Sequence, residues 1–266
     1  GGVRIPTNFN GTEYFMIFDN NKRRIDKRFA IYRQTRYTTE ELSAVFAQRY
    51  RNRTMIALAQ FRYPFDTYQS FRLSGTLRFD RSVLLATAPT NLDITPITNQ
   101  RLGIKGEYVY DNSTPIDINR FLGTRLKLYA EAVKKMQIQV VDDWKLDLSK
   151  GFMTVLGFDA RQYIGLDRRT ILALRGAGAT SYGSEKILFF LGGVDNWLAP
   201  QYDDDTPIPG DANYAYYALG AHLRGFKQNI RNGASYLLFN SELRIPFLQY
   251  FSVKELRSTF LRNLQI

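Results

Sequence analysis

Cysteine is absent from the 266 residues, and histidine occurs once. A chain without cysteine has no disulfide framework, no thiolate zinc site and no cysteine nucleophile. General-base chemistry of the usual histidine kind would rest on His222 alone. No apolar run reaches about 18 residues, which excludes a membrane-spanning helix. The first residues show no basic segment followed by an apolar stretch, so no signal peptide is read there. Acidic residues are outnumbered, with 25 Asp+Glu against 36 Lys+Arg and a formal net charge of +11. Aromatics are plentiful instead, at 17 Tyr and 19 Phe with 2 Trp. This composition argues against disorder, and the length suits one large domain.

What is present is alternation. Phe71, Leu73, Gly75, Leu77 and Phe79 alternate with Arg72, Ser74, Thr76 and Arg78. A strand sends successive side chains to opposite faces, so this segment has one apolar and one strongly polar face. The same reading holds around Leu102–Tyr110, Leu126–Ala132, Leu156–Ala160 and Leu237–Ile245. Weaker strand candidates cover 12–19, 26–34, 53–63 and 169–180. Residues 39–50 are ambiguous, because Thr38 and Glu41 suit a helix capping box; the neighbouring strands favour strand there. The total is roughly ten strands, mostly about 9–17 residues long. Soluble strands average about 5–6 residues, whereas a tilted membrane-spanning strand needs about 9–11.

The chemistry of the two faces points to a fold class. Arg, Lys, Glu and Asp occupy one, and Leu, Phe, Tyr, Ile, Ala and Gly the other. The expectation is an all-β, antiparallel transmembrane β-barrel with lipid outside and a hydrated, charged lumen. Closure would satisfy the backbone groups of every strand within the bilayer. The bland alternative is a soluble antiparallel sheet with one wet face. Two similar strand endings, Arg62-Tyr63-Pro64-Phe65 and Arg244-Ile245-Pro246-Phe247, place proline where a strand leaves the ladder. Tyr63, Phe65, Phe247, Tyr250 and Phe251 would then line one membrane interface. The segments 88–99, 137–150 and 181–231 fall on the opposite, long-loop side. The last is about 50 residues long, a length usually tied to function or disorder. Residues 1–266 are therefore expected to be a partial outer-membrane barrel containing a long extracellular loop at about 181–231. The sequence stops as another strand begins and lacks a terminal aromatic, so an internal piece of a larger barrel is expected.

The loop carries Leu191-Gly192-Gly193-Val194-Asp195-Asn196-Trp197, an acidic run Asp203-Asp204-Asp205, and then Leu223-Arg224-Gly225-Phe226. A strand with Asn240-Ser241-Glu242-Leu243-Arg244 follows. This order resembles the BamA/TamA superfamily of outer-membrane insertases and two-partner secretion transporters, the surface-antigen barrel family. Within it the chain looks most like barrels of Bacteroidota, some of which follow TolB-like propeller repeats. The resemblance is specific over about 187–247. It implies a sixteen-stranded barrel, with roughly two strands before and four after this chain. It also implies a sixth extracellular loop that plugs the lumen, with Gly192 and Gly193 supporting the signature Leu223, Arg224, Gly225 and Phe226.

In that picture Arg224 meets an inward carboxylate, and Glu242 lies on the polar face with Asn240 and Arg244. Guanidinium and carboxylate pair bidentately, and a truly buried pair costs about 3–5 kcal/mol to break from one side. Gly225 would permit a tight backbone path, and Phe226 would pack the loop tip against the wall. The implied function is assistance of insertion, assembly or translocation of outer-membrane or secreted proteins in a Gram-negative outer membrane. A passive secretion pore or a structural docking barrel is the alternative. The implied partners are outer-membrane lipids and lipopolysaccharide, unfolded outer-membrane proteins, and accessory lipoproteins or periplasmic domains.

Other constellations are bland. Asp203, Asp204, Asp205 and Asp211 have the oxygen chemistry for calcium, but solvated loop charge is the expected role, and no metal site is assigned. Gly176 and Gly178 lie in a strand without phosphate-loop context, so close packing or barrel curvature explains them better. Glu13, Glu40 and Glu41 have no spacing for paired acid-base work. The basic excess suits phosphate contact in lipopolysaccharide or nucleic acid; a charged lumen is the more economical account, and no nucleic-acid partner is expected. No catalytic residue, cofactor or enzymatic activity is expected.

Overall fold

The computed structural model describes residues 2–4, 13–43, 46–85, 95–117, 119–141, 143–148, 151–167, 169–194, 203, 205–210 and 213–246. Every regular element among them is a strand. In chain order these are β1 (Gly2–Arg4), β2 (Glu13–Asn20), β3 (Asp26–Ser43), β4 (Phe46–Pro64), β5 (Gln69–Leu84), β6 (Ile97–Asp111), β7 (Thr114–Asp117) and β8 (Arg120–Val141). They continue with β9 (Asp143–Asp147), β10 (Phe152–Gly165), β11 (Ile171–Gly183), β12 (Lys186–Leu191), β13 (Tyr214–Ala221), β14 (Arg231–Gly233) and β15 (Ser235–Arg244). The described residues of the ambiguous stretch, 39–43 and 46–50, are strand, since β3 runs on to Ser43 and β4 begins at Phe46.

Twelve strands form one antiparallel sheet whose hydrogen-bonded order is β1-β2-β3-β4-β5-β6-β8-β10-β11-β15, with β7 and β9 each beside β8. Sequential strands pair as hairpins until β11, where the order jumps to β15. The remaining three form a separate sheet in the order β13-β12-β14. By contacts the chain divides into two compact units. One comprises Gly1–Tyr63, Arg72–Gly106 and Glu131–Met153; the other comprises Pro64–Phe71, Glu107–Ala130 and Thr154–Ile266.

In the first unit, hairpin register sorts the side chains. Asp19 lies opposite Arg28, and Phe18 opposite Phe29. Directly opposed residues share a face. The face of Phe18, Phe29 and Phe61 is exposed and apolar, with Phe29 and Phe61 in edge contact at 6.3 Å. The other face is polar and knitted by side-chain bonds. Asp80 accepts from Thr54 Oγ1 (2.8 Å) and Arg78 Nε (2.7 Å) and pairs with Arg101 Nη1 at 3.4 Å. Gln60 Nε2 donates to Ser74 Oγ at 3.1 Å.

Across the central strands one face exposes apolar residues, while the buried face mixes apolar Val133, Met136, Met153 and Val155 with polar groups. Arg101 and Glu107 are each only 4% exposed, and Ser74 is buried. Phe71, Leu73, Ile104, Leu128, Leu156 and Ile164 are exposed. Leu237 and Phe239 of β15 reach 77% and 70% exposure. Polar groups leave water at low cost where they find partners, and here neighbouring strands supply a number of them. Lys127 Nζ, for example, sits 2.8 Å from Glu107 Oε1. β4 ends at Pro64 as expected, and Tyr63 and Phe65 beside it are exposed; Phe247, Tyr250 and Phe251 lie outside the described residues.

Candidate functional site

The site is built where the strand order jumps. β11 and β15 pair in continuous register from Ile171↔Arg244 to Thr180↔Ser235. That register puts Ala173 opposite Glu242, Arg175 opposite Asn240 and Ala179 opposite Tyr236, all on one face. β11 offers mostly alanine on this face, and small side chains leave room above it. The outward face of β11 carries Gly176 and Gly178, and the Phe158 ring of β10 lies over both. A Cβ on Gly178 would stand 3.0 Å from that ring, so the close-packing reading of these glycines holds.

Between the two strands, the segment expected as a long loop folds into the small sheet. β12 pairs with β13 in parallel and with β14 antiparallel. Its sequence Lys186-Ile-Leu-Phe-Phe-Leu191 is apolar on both sides, which suits a strand covered on both faces. Ile187, Leu188 and Phe189 are buried accordingly. The limits differ from the expected 181–231: β11 continues to Gly183, and β14 extends the insertion past 231 to Gly233. The insertion sits against the polar face of the β11–β15 pair. Tyr236 meets the Phe189 ring at 5.3 Å and donates its hydroxyl to Gly220 O at 2.8 Å. Ser181 Oγ accepts from the Ile187 N–H at 3.0 Å, tying the two sheets at their junction.

Leu223-Arg224-Gly225-Phe226 forms a four-residue turn closed by Phe226 N–H donating to Leu223 O at 3.4 Å. Gly225 sits third in that turn with φ +83°, a value a type II turn requires there. Gly192 and Gly193 brace the turn through backbone bonds. Gly192 N–H donates to Ala221 O (3.2 Å), Gly193 N–H to Phe226 O (3.0 Å), and Gly193 bridges Leu223. Gly192 has φ +124°, and a Cβ there would overlap the Lys227 carbonyl. The support role expected of Gly192 and Gly193 is thus a specific backbone contact.

The expected Arg224–Glu242 pair forms, but as one long contact and not bidentately. Arg224 Nη1 lies 3.9 Å from Glu242 Oε1, and the Arg224 side chain is 80% exposed. The close partner of Glu242 is its own strand neighbour: Arg244 Nε and Nη2 donate to Oε2 at 3.1 and 2.8 Å. Arg244 also donates to Asn119 O at 2.6 Å and stacks over Tyr163. Residues two apart on a strand share a face, so the nearer arginine takes the carboxylate first. Phe226 departs from expectation outright. It is 48% exposed and does not pack the turn against the wall, because the Gly193 contact holds its backbone and leaves its ring free.

A second carboxylate, not singled out from the sequence, organises the neighbouring strands. Asp159 accepts from Arg161 Nε (2.8 Å) and Nη2 (3.1 Å), and from Arg175 Nη2 (2.7 Å) and Nε (3.2 Å). The signal available was Arg175 itself, the one charge in a run of Ala, Leu and Gly. Arg161 and Arg175 line a cavity of about 570 Å³ with His222, Arg224, Arg244 and Glu242. Replacing Asp159 with Asn should leave two guanidiniums facing each other without their shared anion. The sites are partly exposed, so the expected loss is about 1–3 kcal/mol. Asp159→Asn combined with Arg175→Met should recover part of it, as read from denaturation midpoints.

Among the acidic loop residues, Asp203 Oδ1 accepts from the Asp205 N–H at 3.0 Å, a local turn. Asp204 and Asp211 lie outside the described residues. Among the described residues no cluster of potential metal ligands is present. No family model, no curated protein and no solved structure matches the chain.

Proposed function

We propose that the chain is part of a closed, transmembrane β-barrel of the Gram-negative outer membrane, with the β12–β14 insertion plugging its lumen. The barrel assists insertion, assembly or translocation of outer-membrane or secreted proteins and carries out no enzymatic reaction. The observation that carries the reading is the contrast in exposure: Leu237 and Phe239 outward at 77% and 70%, Arg101 and Glu107 inward at 4%. A large contiguous apolar surface in water would aggregate, whereas acyl chains wet it. The insertion seated on the polar face of β11 and β15 supports the plug. The partners in this reading are outer-membrane lipids and lipopolysaccharide, unfolded outer-membrane chains, and lipoproteins or periplasmic domains.

Arg224 gives the functional test. An exposed ion pair contributes about 0–1 kcal/mol, so Arg224→Met should leave stability and barrel abundance nearly unchanged. Insertion of a substrate barrel into vesicles should fall. Equal insertion by variant and wild type would count against a role for the turn.

A second reading, a passive secretion pore, draws support from the 3.9 Å separation of Arg224 and Glu242. A plug held so loosely by its arginine is one that can leave. High, steady conductance of the complete barrel in planar bilayers would favour the pore, and a nearly closed barrel the assembly role.

A further inference from the structure

The tip of the β2–β3 hairpin carries a feature that the lumen does not explain. Lys22, Arg23 and Arg24 follow one another in the turn, all exposed, and Lys27 begins β3. The register fixes which way they face. Lys27 lies opposite Asn20 on β2 and opposite Phe61 on β4. It therefore shares the outward face with Phe18, Phe29 and Phe61, just beyond the apolar band. Arg24 is on the same side, 4.7 Å from the centre of the Tyr63 ring. Asp19 and Asp26 register on the other face, and Lys27 also borders a cleft with them. Asp19 is engaged by Arg28 at 2.7 Å, and Asp26 by Arg62 at 3.6 Å.

The outcome is a cleft of about 370 Å³ lined by Asn20, Lys22, Arg23, Ile25 and Lys27, with no carboxylate among them. Its floor is an exposed apolar residue, Ile25. Three cations above phenylalanines, flanked by a tyrosine–arginine stack, match the boundary between acyl chains and headgroups. Aromatic rings settle at that depth. Long basic side chains keep their stems on apolar surface and their charges in water.

We propose that this cleft binds the phosphate of an anionic phospholipid headgroup, with Arg23 and Lys27 as its main donors and Ile25 against the first acyl carbons. The proposal rests on the membrane-barrel reading and adds a lipid class and a position to it. Surface cations attract anionic leaflets in a cumulative way, and no carboxylate stands among the described residues that line this cleft.

The test uses the full-length protein released from vesicles of phosphatidylcholine containing phosphatidylglycerol, with retained lipid counted by native mass spectrometry. Wild type should retain phosphatidylglycerol preferentially. Arg23→Gln/Lys27→Gln should lower that preference roughly thirtyfold, the effect expected of two interfacial cations. Lys227→Gln/Arg231→Gln, which removes the same charge from the insertion, should leave it unchanged. Equal retention by wild type and Arg23→Gln/Lys27→Gln overturns the site, as does an equal loss in both doubles. Tighter capture of a short acidic peptide than of phosphatidylglycerol at the hairpin overturns it too. Protease protection in pure phosphatidylcholine vesicles tests the membrane reading separately. A protected barrel without lipid preference sinks only the site, and a chain that never becomes protected sinks the membrane reading.

Discussion

Gly192→Ala is expected to unseat the insertion while leaving the large sheet paired. The residue stands at φ +124°, where a side chain is strained before any neighbour is considered. Its added Cβ would also overlap the backbone carbonyl of Lys227. A flexible side chain can rotate away from such a contact, but a carbonyl moves only with its chain. That chain is the one leaving the Leu223–Phe226 turn, so relief requires breaking the Ala221 and Phe226 hydrogen bonds to Gly192 and Gly193. Strain and lost bonds together should cost about 3–5 kcal/mol. Gly225→Ala is the control. Its φ of +83° is also unfavourable, but a Cβ there meets open space. It should cost only about 1–2 kcal/mol. Limited proteolysis of the folded protein measures the difference. Gly192→Ala should be cut rapidly within 184–234 and Gly225→Ala slowly. Similar cutting of both would mean the turn is not held by the Gly192–Lys227 contact.

The second large effect concerns the solvent of the outward face. In water, Phe239→Arg would replace a 70%-exposed phenylalanine with a soluble side chain. That change should be neutral and should reduce aggregation. In a bilayer the same change puts a charge among acyl chains, at a cost of about 2–4 kcal/mol near the midplane. Leu237→Arg should behave alike, since its exposure is 77%. Folding into phospholipid vesicles, followed by the gel mobility shift between heated and unheated samples, reads the outcome. Both variants should give a markedly smaller folded fraction than wild type. A Phe239→Arg protein that inserts as well as wild type would remove the main support for the membrane barrel. So would a wild-type protein that stays monomeric without detergent.

The charged side of the same strands was legible only in part. Alternation put Asn240, Glu242 and Arg244 on one face, and β15 keeps them there. Which cation each carboxylate takes was not legible. Glu242 is held by Arg244, two residues away, and Arg224 stands off at 3.9 Å. Asp159 is shared with Arg175, on the adjacent strand and 16 residues further along the chain. The glycines were read more successfully than the aromatic beside them. Gly192 and Gly193 do contact the Leu223–Phe226 turn, but Phe226 turns its ring to the outside.

The sequence alone determined the long strands of the large sheet, their two unlike faces and the place where strand succession is interrupted, but not the short strands β7 and β9. These follow from a period of two that backbone stereochemistry imposes within each segment, whatever lies beside it. Tertiary structure decided that the interruption is a three-stranded sheet and not an irregular loop, that it rests on the alanine-lined side of β11, and which ions pair. Those outcomes depend on register between strands distant in the chain and on the space small residues leave open. Neither quantity is written in any local run of residues.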